Sequence, residues 1–385
     1  MIAVREHREE FLRTIERLTA EREASREIVA GLRRSSSEVW DLEIPSEWRT
    51  AGFVQELTSV AYQIVESNPR QSLAFAQLAL AIATGIPTRT YPSPIQEQIE
   101  GTAWKEIGTA HRYMGELDAA LRAYDAAQRA YGRANALVHD SAVIELARAI
   151  VLNDLDRHDE ALRILASIEP VLRDFEDHRH VVQVHQMTAN IYYGQGRLQD
   201  AQAVLEKALA EVGFDDFYTR AAIHATLGLV YGKVGKTEEA FVKLHQARAM
   251  LADLGMTGEV TRTDWAIATT VLERGDNARA VEMLRAVRSQ FLSLSIAHEA
   301  GLAGLDLADA LIANGNVHEA QKTVEDVLRE FTTANLSLYA IKALAYLRDI
   351  LSTTQRPRAA VDNVRAYLRK LRSEPARIFL PPPEE

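Results

Sequence analysis

Residues 227–247 read LGLVYGKVGKTEEAFVKLHQA, and this stretch decides the fold. Gly228 is followed by Tyr231, then by Gly235 and Ala240, with Leu244 and Ala247 continuing at helical spacing. Small, bulky, glycine and alanine in that order describe a helix, a turn and a second helix. The glycine accepts the left-handed backbone that stops the first helix. The alanine lets the second helix approach the first closely. Working outward, the same order recurs. Ala189, Tyr192 and Gly196 precede Ala201; Ala268, Val271 and Gly275 precede Ala280; Ala308, Leu311 and Gly315 precede Ala320. Trp104, Gly108, His111 and Gly115 stand before Ala120. The leading alanines, Ala120, Ala161, Ala201, Ala240, Ala280, Ala320 and Ala360, are spaced by 41, 40, 39, 40, 40 and 40 residues. A near-constant period of this length is the mark of a repeat array.

Earlier and later segments extend the array. Residues 50–66 place Phe53, Leu57, Val60 and Ile64 on one helical face. Asn68 and Pro69 read as the N-cap and first-turn proline of the next helix, in which Ser72, Ala76 and Ala79 hold the alanine register. Pro357 falls where a last second helix should begin. The expected division is an N-terminal helical segment and hinge over 1–49, an array over 50–372 and a tail over 373–385. In the first part Phe11, Ile15, Leu18, Ile28 and Leu32 form the apolar positions of a charged helix, read as an end cap or, alternatively, a partner-binding or dimerising helix. Ser35–Ser37 and Glu43–Pro45 suggest a hinge, and the closing PPPEE a disordered tail.

Composition limits the function. The chain has 385 residues, 47% hydrophobic and 25% charged, with no cysteine. That excludes disulfides, thiolate metal sites and thiol nucleophiles. A net charge of −10 argues against a nucleic-acid coat. Residues 356–377 carry a local excess of basic groups, read as a polar-faced capping helix, with an acidic partner or nucleic acid as the minor alternative. No signal-peptide core and no span of some 20 apolar residues is present, so the expected location is the cytoplasm and no membrane is expected.

Chemistry-bearing motifs are wanting. Gly232–Thr237 ends like a phosphate loop, but Val230 stands where its first glycine belongs, and the segment fits a repeat turn. Gly194-Gln-Gly196 is likewise a turn. His178, His180 and His185 lack the four-residue helical spacing of a zinc pair and read as surface and packing histidines. No catalytic residue, metal or cofactor is expected, and the chain is not expected to be an enzyme.

Trp104-Lys-Glu-Ile-Gly108 and Leu227-Gly228-x-x-Tyr231, with the alanine ladder, resemble the tetratricopeptide repeat, whose usual unit is 34 residues. The resemblance covers roughly 50–371 and implies an all-α, right-handed superhelical α-solenoid of about eight helix-turn-helix pairs. The longer period is similar to that of bacterial regulatory tetratricopeptide proteins. The resemblance implies that the first helix of each pair lines a concave surface that binds protein or peptide. Carried onto this chain, the lining positions are Lys105, Thr109, Arg112 and Tyr113, then Asn153 and Asp154. Gln183, Gln186, Asn190 and Tyr193 follow, then Lys233, then Arg262, Trp265, Thr269 and Glu273, and last Asp309. Asn and Gln pair with both peptide C=O and N–H, and Lys and Arg hold carboxylates. Trp265 is the anchor expected if that face is open. Three functions follow from the resemblance: an interaction scaffold or regulator; a bacterial signal-peptide sensor acting on a response regulator or transcription factor; and a non-catalytic subunit of a protease or sigma-factor complex. Oligomeric state is left open.

Overall fold

The structure, a computed structural model, describes residues 2–34, 44–65, 68–133, 137–294, 296–333, 338–351, 354, 356–371 and 379. Of 2–11, 333, 338 and 339 it describes the backbone alone. The proposed hinge at 35–43 and the PPPEE tail lie outside the described residues.

Among these residues the chain is all-α. A long helix, α1 (Ile2–Arg34), is followed by a short 3₁₀ turn, Ser46–Trp48, and eight helix pairs. The pairs are α2 (Ala51–Ile64) with α3 (Pro69–Gly85), α4 (Ser93–Tyr113) with α5 (Leu117–Gly132), and α6 (Val138–Asp154) with α7 (His158–Asp174). Next come α8 (His178–Gly194) with α9 (Leu198–Glu211), α10 (Phe217–Val234) with α11 (Thr237–Asp253), and α12 (Thr257–Glu273) with α13 (Asn277–Ser293). The last are α14 (Ala297–Ala313) with α15 (Val317–Thr333) and α16 (Leu338–Ile350) with α17 (Pro357–Lys370). The chain forms two compact units, Met1–Glu176 and Asp177–Glu385.

The repeat chemistry acts as its residue types require. Gly115, Gly196, Gly235, Gly275 and Gly315 all have φ between 74° and 91°. At Gly235 the left-handed residue closes α10: Gly235 N–H donates to Gly232 O at 3.0 Å and Lys236 N–H to Tyr231 O at 2.9 Å. Between α6 and α7, where the sequence offers no glycine, Asp156 takes the left-handed place at φ 58°. The ladder alanines from Ala120 to Ala320 are fully buried, and Ala360 nearly so. At Gly228 a Cβ would meet Leu244 Cγ at 2.6 Å, so the small residue is what lets α11 lie against α10. Asn68 caps α3 by accepting from Gln71 N–H, with Pro69 in its first turn, and Pro357 opens α17, as the sequence indicates.

In each unit successive first helices as far as α14 touch one another, whereas no two second helices approach as closely. The first helices therefore form the inner layer of each stack. In the first unit α1 docks on α2 and caps the stack. Its contact face is turned one residue from expectation: Val29, Leu18 and Leu32 pack inward, while Ile15 and Ile28 stay exposed. The side chain of Phe11 lies outside the described residues. Glu21 accepts from Gly52 N–H at 3.2 Å and from Tyr91 O–H at 2.7 Å, so α1 supplies a carboxylate to the start of α2. A Cβ on Gly52 would meet Arg22 N at 2.4 Å, so the two backbones nearly touch there. In the second unit α14 is buried on every side from Ala300 to Leu311, a stretch that is apolar but for Asp306 and Asp309. What covers its inner side is α17, which packs on both α14 and α16.

Candidate functional site

The expected lining residues fall in two groups, one in each unit. In the first unit, Lys105 is not free to meet a ligand. Its Nζ lies 2.9 Å from Oε1 of the buried Glu106. Burial raises the Glu106 carboxyl above its usual range, and Lys105 opposes that rise. Thr109 donates to or accepts from Tyr124 O–H at 3.2 Å, and donates to Lys105 O at 3.0 Å. Arg112 pairs with Asp154 at 3.0 Å and lies over the Tyr113 ring. Asn153 is half-buried. This face is held together by its own ion pairs.

The second unit brings together a more open set. On α8, Gln186 and Asn190 are half-exposed, and their amides have no partner among the described residues. Helix α10, which packs on α8, has a small and apolar row. Tyr218, Ala222, Ala225 and Leu229 form one wall of a cleft of about 130 Å³, and Glu259, Arg262, Thr263 and Ala266 of α12 form the other. That volume holds one or two side chains rather than a whole small molecule. Arg262 is oriented by Glu259 and by Glu299 at 3.3 Å. At the far end of α10, Lys233 pairs with Glu273. Tyr193 stands near Lys233, and burial raises its hydroxyl pKa. Arg369 of α17 is exposed and acts electrostatically on Asp306, Tyr193 and Lys233.

Trp265 has a different place from the one its position suggests. Its indole N–H donates to Asp306 at 2.7 Å, and its ring meets Phe291 edge-on at 5.8 Å. It is half-buried and serves as a wall of the stack. Asp309 is not an open lining residue at all. It and Asp306 are buried in α14 beneath α17, where Arg358 pairs with Asp309 and Arg365 lies 2.9 Å from Asp306. Burial raises the Asp306 carboxyl, and Arg365 and the indole oppose that rise. The basic character of residues 356–377 is thus partly spent inside the fold. Two aspartates within an otherwise apolar helix were the available signal, since buried carboxylates need cations.

The remaining motifs take structural roles. Asp177 caps α8, accepting from His180 N–H at 3.1 Å, and lies 2.6 Å from His180 Nδ1. His185 is buried 3.4 Å from Glu211, and His178 is exposed. Gly232–Thr237 is the turn between α10 and α11. No helix among the described residues is long and apolar enough to cross a membrane.

The tetratricopeptide repeat family model matches residues 140–210. No curated protein matches the chain in sequence. Solved structures do match in fold. The Rap conjugation gene regulator of plasmid pLS20, in complex with the Phr* peptide, is 13% identical over 84% of this chain and 96% of its own, with TM-score 0.57. A signal transduction ATPase with a tetratricopeptide repeat sensor from Pyrococcus horikoshii is 15% identical over 92% of this chain, which spans 53% of that protein, with TM-score 0.54. Aspartyl phosphate phosphatase F from Bacillus subtilis is 11% identical over 85% of each chain, with TM-score 0.51. At these identities the likeness is one of fold. Residues 140–210 match the tetratricopeptide repeat model, and the alanine ladder, turn glycines and paired helices carry the same helix-pair architecture along the array.

Proposed function

We propose that the chain is a non-enzymatic interaction protein whose second unit binds an extended peptide segment along the inner face of α8, α10 and α12. One observation carries this reading: Gln186 and Asn190 present unpaired amides on α8, and the helix packed on it, α10, carries the small apolar row Ala222, Ala225 and Leu229. An extended chain needs both things, side-chain amides for its C=O and N–H groups and room for its own side chains. The exposed Arg369, near Lys233, adds positive charge at one end of that row, suited to an acidic group on the ligand. Lys105, Thr109, Arg112 and Asn153 are assigned a secondary role, because three of the four are tied to neighbours in the first unit.

The Rap regulator of similar fold is bound to a peptide, which is compatible with a sensor function for this chain. The scaffold reading is preferred because it asks only for the open inner face of α8, α10 and α12. Capture from a lysate of the native host, followed by mass spectrometry, tests the proposal. Gln186→Ala with Asn190→Ala should remove the ligand recovered with the unaltered chain, while helicity and melting temperature stay unchanged. Full recovery by the double variant would move the binding site elsewhere.

A further inference from the structure

The turn entering α10 carries an aromatic cluster of which only Tyr218 lines the inner cleft; Phe214 and Phe217 are required by neither the repeat nor the cleft. Phe214 is 91% exposed, Phe217 52% and Tyr218 44%. Leu254 lies at the same end of the pair, because α11 runs antiparallel to α10 and its Leu251 lines the cleft together with Tyr218. Leu254 is itself 44% exposed. Large apolar side chains gathered in this way mark an interaction surface rather than ordinary surface scatter.

The cluster is held in place. Arg220 donates to Val212 O at 3.0 Å and to Gly213 O at 3.1 Å, and its guanidinium lies 5.3 Å from the centre of the Phe214 ring. Asp216 N–H donates to Gly213 O at 3.3 Å, and Phe217 N–H to Asp215 O at 3.0 Å. Asp216 in turn caps α10 through Thr219 N–H. Phe214 is thus displayed on a tied turn, so little conformational freedom is left to lose on binding.

Two further features select the occupant. The turn's carbonyls at 212, 213 and 215 already accept hydrogen bonds, so the surface offers no strand edge for an added chain. Recognition must come from side chains, as when an amphipathic helix lays its apolar face on a patch. The charge left over is negative. Arg220 keeps its charge but is outnumbered by Asp215, Asp216 and Asp253, and Arg262 is paired with Glu259 and Glu299. Asp215 and Asp253 are exposed with no partner among the described residues.

We propose that Phe214, Phe217 and Leu254, at the rim beyond the cleft residue Tyr218, form a second docking surface for a basic amphipathic helix of a partner protein. The test uses the full chain and a labelled synthetic helix of alternating Leu and Lys faces, read by fluorescence anisotropy. The Leu/Lys helix should bind, and Phe214→Ser with Phe217→Ser should weaken it at least tenfold without lowering the melting temperature. Asp215→Lys with Asp253→Lys should weaken it comparably, and added salt should too. A Leu/Glu helix of the same apolar face should not bind. Equal binding by the unaltered chain and the Phe variant would reduce the effect to general attraction for an acidic protein and overturn the proposal. So would a dimer seen by sedimentation that the Phe variant abolishes, which would give the surface to a second copy. Co-sedimentation with phosphatidylglycerol vesicles that depends on Phe214 would give it to a membrane instead.

Discussion

His224 sits on α10 with only 6% of its surface exposed, and its Nδ1 has no hydrogen-bond partner. Burial, with Lys243 and Arg220 adding positive charge nearby, lowers its pKa to about 4. The folded chain holds this imidazole neutral, while the unfolded chain protonates it near its ordinary value of 6.5. The unfolded state therefore binds the extra proton between those values. The contribution of His224 is whole above about pH 6.5 and is lost as pH falls toward 4, on the order of 3 kcal/mol in all. Urea unfolding from pH 7 to 4.5 should show the stability difference between the unaltered chain and His224→Gln shrinking by about 2 kcal/mol. A constant difference would mean the imidazole titrates alike in both states. Lys105 makes a second case at this scale. Lys105→Ala leaves the Glu106 carboxylate buried without its cation, so it should cost about 3 kcal/mol in urea unfolding. Lys105→Met with Glu106→Gln should recover most of that loss. The single alanine variant is thus a poor probe of binding, although the position belongs to a lining register.

Among the helices, α17 departs most from the repeat. A regular second helix would pack on its own partner, but α17 also covers the inner side of α14. The cause lies in α14: a largely apolar helix with Asp306 and Asp309 at its inner side needs both a greasy cover and a cation. Val361, Val364 and Leu368 supply the first, Arg358 and Arg365 the second. Arg365→Leu should cost about 3–5 kcal/mol, since it strands a buried carboxylate. Hydrogen exchange over 357–370 should rise at the same time. Adding Asp306→Asn should restore part of the protection; protection unchanged in Arg365→Leu would show that apolar contact alone holds α17. The basic segment was plain in the sequence, but its destination was not, because charge counting does not say which way a helix face turns.

At the scale of the whole chain, stability is shared between neighbours. Within each unit, neighbouring pairs bury their faces on one another, so a pair alone has too little core to fold. A peptide of residues 217–254 should be mainly random coil by circular dichroism, although the same residues form two full helices in the chain. A strongly helical peptide would show that local propensity, not stacking, builds the array. The two compact units, meeting at residue 176, were not legible from a ladder that runs across that point without a break.

The periodic features were set by local chemistry and could be read directly. Glycines that take φ > 0, alanines at helix crossings, and Asn68 and Pro69 at a helix start act within a few residues, so their positions suffice to define eight pairs. What only the tertiary structure decided is which polar groups are already satisfied. Lys105, Arg112, Lys233, Arg262 and Trp265 all stand in lining positions, yet each is matched by a carboxylate on a neighbouring residue or helix, while Gln186 and Asn190 are left open. Whether a side chain is spent or available depends on partners up to some 50 residues away, and a repeat register carries no record of that pairing.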